Sequence, residues 1–306
     1  MFAELIRKSV QFDIATLRIR RLRLTERVKF VLRKNRAAAF LMLGAETASV
    51  RLRGRDFVVH NLSELGTMQS SLVDVYRDLV QGQVLADDSP SVVDIGANIG
   101  QFAFAVQTFY PSARIVSFEP GEVAYERLER NLGDHPHITL SPLAISDEIG
   151  LATFFERDLN VTSSLIPPSV DDTTVGRDGT IVNEHVVETA TLDSLDLAEI
   201  DLLKIDVEGA ELEVLRGSVR TMPLCRFLLV EVSLRRSTTG SNFSLLTKIG
   251  QTVPSAQIRQ VGRPLGNGRH QVCVDLLIEL NDDGRTLDKP PHHDDRWAAS
   301  RTLQAG

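Results

Sequence analysis

Cysteine is nearly absent: Cys225 and Cys273 are the only two in 306 residues. Two thiols so far apart exclude a disulfide framework and a cysteine-only zinc site, and they point to a reducing compartment. Long hydrophobic runs are missing too. The longest, Ala37–Leu43, falls far short of the ~20 residues a spanning helix needs. The first 30 residues carry no continuous apolar core of the signal-peptide kind, so a cytoplasmic location is the expectation. There is no internal repeat. What remains is ordinary globular composition, 42% apolar and 25% charged, which excludes wholesale disorder, collagen-like repeats and a coiled-coil rod. The length suggests about two domains.

Charge is unevenly spread. Residues 1–40 hold eleven Lys/Arg against Glu4, Asp13 and Glu26, a net +8, while the chain totals −7. The remainder therefore carries −15, which argues against a nucleic-acid partner. Ile14, Leu17, Arg21, Leu24, Val28 and Val31 follow helical spacing. The reading is a helix whose apolar side packs on the main domain while its arginines are solvated. Peripheral contact of residues 1–40 with an anionic membrane is the alternative.

Val50–Val59 reads as a hairpin with Gly54 at its turn, and Leu72–Leu79 as a short helix. Asp87–Pro90 is a linker, giving an extension over 1–89. Apolar strands are then expected at Val92–Ile95, Ile115–Phe118, Ile138–Leu140, Leu202–Ile205, Phe227–Val232 and Val272–Leu280. Helical stripes alternate with them at Ile99–Tyr110, Ala124–Leu132 and Ala210–Leu215. That alternation implies an α/β fold with a parallel, doubly wound Rossmann-like sheet over 90–281, which binds ligands beyond the carboxyl ends of its strands. The polar stretch 156–188, with Pro167-Pro168, reads as a lid-like insertion, and 282–306 as a loose tail. His292-His293 in that tail reads as solvated, so no metal is assigned there.

Three segments carry chemistry. Asp94-Ile-Gly96-Ala97-Asn98-Ile-Gly100 joins a strand to a helix. It fails the dinucleotide pattern G-x-G-x-x-G, and its acid suits a cationic ligand better than a pyrophosphate. Phe118-Glu119-Pro120 ends the next strand, where an acid can accept both ribose hydroxyls. Glu119 could equally be a helix-start carboxylate facing the macrodipole. Leu203-Lys-Ile-Asp206-Val-Glu208-Gly-Ala-Glu211 puts a lysine among acids at a buried strand end, so Lys204 should pair with one of them.

Taken with Ala144-Ile-Ser146 and Thr191-Leu-Asp193, these segments resemble the motifs of FkbM-type methyltransferases, a class I S-adenosylmethionine-dependent group. The resemblance covers roughly Ser91–Val232 and includes Asn98, where many methyltransferases have Gly. It implies a seven-stranded sheet with a reversed last strand. It also implies S-adenosyl-L-methionine held by Asp94, Gly96, Ala97, Asn98, Gly100, Glu119, Pro120, Ala144 and Asp206, and O-methylation of a sugar, glycan or secondary-metabolite hydroxyl. It says nothing of the first 40 residues.

Methyl transfer to a hydroxyl needs positioning and a base. Asp206 is the first candidate, though it could instead hold the cofactor's amino end; Glu231 is second and His185, in the lid, third. Asp206 and Glu231 could together take Mg²⁺, but no third ligand is evident in the sequence, so no metal is assigned. Two other readings stand beside this one. A nicotinamide-dependent oxidoreductase is disfavoured by the missing glycine and by Asp94. A scaffold that keeps the fold without reacting is disfavoured by the intact Asp94, Gly96, Glu119 and Asp206.

Overall fold

Arg53 and Gly54 both take positive φ, 49° and 85°, and close a hairpin between Ala48–Leu52 (β1) and Arg55–Val59 (β2). Two left-handed residues in a two-residue loop match the twist of the strands they join. The computed structural model describes residues 2–85, 88–157, 163–165, 181–233, 242–262, 265–267 and 270–281. The tail from 282, with His292-His293, lies outside the described residues, as does most of the insertion.

The basic arm forms two helices, Phe2–Leu17 (α1) and Leu24–Met42 (α2), backed by Leu62–Asp74 (α3). Asn61 caps α3 by accepting from the Glu64 N–H, and the helix widens to a π-type turn over Val75–Val80. It is thus far longer than the short helix expected at Leu72–Leu79. The arm packs on the rest of the chain, but not through the expected stripe. Ile14, Leu17, Leu24 and Val28 are exposed, and Val31 is partly buried. The buried residues are instead Ile19, Leu22, Phe30, Lys34 and Ala37. Both sides of α2 carry apolar residues, so periodicity alone could not tell which faces the core. Buried Lys34 is satisfied by Asp13 at 2.7 Å and by Ser9.

The sheet domain follows the expected alternation: Ser91–Ile95 (β3), Gln101–Phe109 (α4), Arg114–Phe118 (β4), Glu122–Leu132 (α5) and Ile138–Ser141 (β5). After an insertion, Ile200–Ile205 (β9), Glu211–Arg216 (α6), Cys225–Ser233 (β10), Asn242–Thr252 (α7), Gln257–Val261 (β11), Leu265–Asn267 (β12) and His270–Glu279 (β13) complete it. The order β11-β13-β10-β9-β3-β4-β5 gives seven strands, with short β12 pairing β13 alongside. β13 runs antiparallel to both neighbours, while β10, β9, β3, β4 and β5 are mutually parallel. The reversed last strand is therefore present. The chain leaves β3 towards β5 on one side and returns through β9 on the other, so the topological switch point lies between β3 and β9.

The insertion departs from expectation. Ala144–Ile145 (β6), Gly150–Arg157 (β7) and Ile181–Ala190 (β8) form a separate three-stranded sheet in the order β6-β8-β7. Residues 156–157 and 181–188, read as lid, are thus strand. Of the residues between, only 163–165 are described, and there Ser164 bridges Phe155 of β7; the rest of the stretch read as lid lies outside the described residues.

One core on the α4 side of the sheet joins Phe30, Phe57, Met68 and Leu72 of the extension to Phe104, Ile115 and Leu128. The Phe57 and Phe104 rings lie 4.9 Å apart. The opposite face is covered by Val214, Leu215, Leu245 and Ile249 of α6 and α7. Asn131 on α5 stitches the hairpin down. It donates to Val58 O and Ile99 O and accepts from the Val58 N–H. Both cysteines are buried and free.

Candidate active site

The carboxyl ends of β3, β4, β9 and β10 open into a cavity of about 240 Å³. Gly96, Ala97 and Asn98 form one wall, Glu119 and Pro120 a second, and Lys204, Asp206 and Glu208 a third. Ala144 and Glu231 also line it. Seven of the nine residues of the expected cofactor set, Asp206 among them, therefore line the cavity together with Glu231, while Asp94, Gly100 and His185 do not.

Asp94 does not line the cavity. Its carboxylate is fully buried beneath the glycine loop, with Oδ1 3.2 Å from Lys204 Nζ. Burial pushes its carboxyl up from the ordinary range, and the lysine only partly opposes that. Gly100 does not line it either. Its φ is 93°, and a β carbon there would sit 2.6 Å from Leu132 Cδ1, so packing of α4 against α5 demands this glycine. His185 belongs to β8, opposite Phe154, and its Nδ1 lies 4.0 Å from Glu156. It is not among the lining residues, because the strand fixes it against Phe154. Its expected role as a base therefore draws no support from the cavity geometry.

Gly96 is required where the expectation put it. Its φ is 81°, and a β carbon would lie 1.8 Å from the Asp206 carbonyl oxygen. The loop can pass over the end of β9 only without a side chain. Glu119 is held by two backbone donors: its Oε2 accepts from the Asn98 N–H at 2.8 Å, its Oε1 from the Gly121 N–H at 2.9 Å. A carboxylate has about four acceptor sites, so roughly two remain for a ligand. Burial raises its pKa to about 7, against the pull of those two N–H groups.

Lys204 bridges Asp94 and Asp206, 3.2 Å from each, and its ammonium lies 5.4 Å from the Phe102 ring centre. Burial pulls its pKa down, but the two carboxylates more than offset that and raise it. The sequence expectation of one partner is thus exceeded. Glu231 is pushed up to about 8, chiefly by burial and then by the charge of Asp206. Asp275, its partner across β13, rises to about 6 for the same first reason.

Sequence reasoning missed four contributors. Glu208, with φ 54°, brings a third carboxylate, and oxygens of Asp206, Glu208 and Glu231 lie within 4.8 Å of one another. Its signal was present in the same segment as Asp206. Thr67 and Ser71 come from α3, and no local pattern marks them. Buried Gln101 also lines the wall.

Lys204 is committed to two acids, and the carboxyl groups of Glu119, Asp206, Glu208 and Glu231 line the cavity beside it. The family model described as the methyltransferase FkbM domain matches residues 94–253. This chain belongs to the FkbM methyltransferase family. The family's chemistry replaces the nicotinamide reading. The methyltransferase sdnD of Sordaria araneosa is 34% identical over 157 residues, covering 42% of this chain and 60% of its own. The 2-O-methyltransferase NoeI of Sinorhizobium fredii is 31% identical over 178 residues, covering 54% and 71%. The chain thus spans three-fifths of the first of these relatives. A methyltransferase FkbM structure from Methylobacillus flagellatus aligns over 71% of this chain and 55% of its own, at 15% identity and a TM-score of 0.42. Class I methyltransferases use S-adenosylmethionine, and the residues present fit it. Glu119 keeps acceptor capacity for a ribose, Gly96 leaves the loop bare, and the carboxyl-rich lining suits a sulfonium. Among the described residues no helix is long and apolar enough to cross a membrane.

Proposed function

We propose that this chain transfers a methyl group from S-adenosylmethionine to a hydroxyl of a sugar, glycan or secondary metabolite. The observation that carries the proposal is the meeting of Glu119, Asp206 and Glu231 around one cavity at the switch point of a family-member sheet. The name of the 2-O-methyltransferase relative supports a hydroxyl acceptor.

S-adenosylmethionine, when bound, supplies an electrophilic methyl group on sulfur. Glu119 accepts the ribose hydroxyls, and Gly96 to Asn98 cradle the nucleoside against backbone. Glu231 takes the acceptor proton as the new C–O bond forms and the S–C bond breaks. A carboxyl with a pKa near the working pH is an efficient base, and a cation in the cavity lowers that of Glu231 further towards neutrality. Asp206, fixed by Lys204, orients the acceptor. This reverses the order of the two acids expected from sequence, because Lys204 already occupies Asp206.

The experiment is conversion of S-adenosylmethionine to S-adenosylhomocysteine over a panel of glycans and hydroxylated metabolites, with product mass spectrometry. Removing a general base typically costs 10²–10⁴ in rate. Glu231→Gln should lower kcat by about a hundredfold while cofactor affinity holds, and Asp206→Asn should act more on KM. If Asp206→Asn alone abolishes kcat, the base assignment moves to Asp206. If no acceptor is methylated and no cofactor binds, the proposal fails.

A second reading rests on the Asp206, Glu208 and Glu231 cluster. Three carboxylate oxygens suit Mg²⁺, which could hold the acceptor oxygen. Loss of turnover with a chelator, restored by Mg²⁺, would favour this reading over a simple base.

A further inference from the structure

The outer surface of the basic arm is apolar where a packed arm should be polar. On α1, Val10, Ile14 and Leu17 are exposed, at spacings that place them on one face. On α2, Leu24 and Leu32 are 62% and 65% exposed, and Val28, Met42 and Leu43 are exposed beside them. At 3.6 residues per turn, Leu24, Val28, Leu32, Ala39 and Met42 fall within an arc of about 80°, interrupted by exposed Asn35, which donates to Asp13. Lys29, Arg33 and Arg36, all exposed, lie about 40–100° beyond its edge on one side. Arg18, Arg20, Arg21 and Arg23 are exposed in the α1–α2 connection. α1 and α2 pack on each other and both on α3. Exposed apolar side chains grouped on one face of a soluble protein mark an interaction site.

We infer that this face seats the protein on an anionic lipid bilayer. Three observations select lipid over another occupant. The apolar arc flanked by Lys and Arg is the pattern of a helix lying in the bilayer interface, apolar side down and cations at the headgroups. The +8 of residues 1–40 opposes the −15 of the remainder, so an anionic surface attracts the arm, repels the rest and fixes the orientation. A second copy would instead bring like charges together across a two-fold interface. The seat is also joined to the cavity by one helix. Gln69 of α3 donates to Asp13 and Thr16 of α1, while Thr67 and Ser71 of the same helix line the cavity. An acceptor at the membrane surface would therefore lie on the side served by α3.

The test is flotation of the full chain with vesicles of 70:30 phosphatidylcholine and phosphatidylglycerol, against phosphatidylcholine alone, at low and at 0.5 M salt. Binding to the anionic vesicles should exceed binding to the neutral ones at least tenfold and weaken with salt. Leu24→Glu/Val28→Glu/Leu32→Glu should abolish it, and Lys29→Gln/Arg36→Gln should weaken it several-fold, with both melting profiles matching the parent chain. An acidic triple variant that floats as the parent does would overturn the inference. So would a parent chain that ignores anionic vesicles and sediments as a dimer that the triple variant loses, which would assign the face to a second copy.

Discussion

Lys204 Nζ lies 3.2 Å from Asp94 Oδ1, across the register pair that joins β9 to β3 at the head of the sheet. Asp94 has no exposure, and among the described residues no hydrogen bond completes the shell of either carboxylate oxygen. Its one compensation is the lysine. Lys204→Met should therefore destabilise the fold by about 3–5 kcal/mol, the usual result of stranding one partner of a buried pair. Asp94→Asn combined with Lys204→Met should recover most of that loss in urea unfolding at pH 7. Additive losses would mean the pair is not coupled.

Gly96→Ala should be severe for its size. The added β carbon meets the Asp206 carbonyl oxygen at 1.8 Å, and φ is positive. The loop must lift, so cofactor affinity should fall more than tenfold and the melting temperature by several degrees. Calorimetry and thermal unfolding on the same sample read both, and wild-type affinity would mean the loop is softer than this geometry implies.

Glu119→Ala should weaken S-adenosylmethionine at least tenfold, since a hydrogen bond to a charged group is worth about 1.5–3 kcal/mol. It also frees the Asn98 and Gly121 N–H groups, so a modest loss of stability should accompany it. Unchanged affinity by calorimetry would remove Glu119 from the cofactor set.

Stability should fall as pH rises from about 7 to 8. Glu231 has its pKa raised from 4.5 to about 8 by burial. Between those values the folded chain holds a proton that the unfolded chain releases, so the unfolding free energy declines with pH and levels off above about 8. Glu119, raised to about 7, adds to the decline up to that point. His135, lowered from 6.5 to about 4, acts oppositely but only below about 6.5. Glu231→Gln should flatten the profile between pH 7 and 8 and raise stability at pH 8. A wild-type profile already flat there would contradict the burial argument.

Much of the sheet domain was legible because its rules are local. Apolar runs buried on both faces, bounded by glycine and acids, mark parallel strands. Short crossovers then fix their order, and functional residues collect at the strand carboxyl ends. Asp206, Glu119, Gly96 and Glu231 could be placed from position alone. The β6-β8-β7 sheet was not legible. Its strands are separated by a long polar stretch, and Val186 and Leu151 are exposed while Glu156 and Thr189 are buried, so residue type does not follow the alternation of burial along them.

By itself the sequence determined the class of fold, the family and the strand ends where the chemistry gathers, because strand propensity, turn glycines and motif spacing act over a few residues. Tertiary structure alone decided which acid is free and which is neutralised, since Lys204 selects Asp94 and Asp206 only once β9 lies against β3. It also decided that Gly100 serves packing, that His185 faces Phe154, that Thr67 and Ser71 reach the cavity, and that the arm buries Phe30 while leaving Leu24 and Leu32 outside. Each depends on which surface a distant segment covers. Desolvation is set by that contact and not by the side chain's own chemistry.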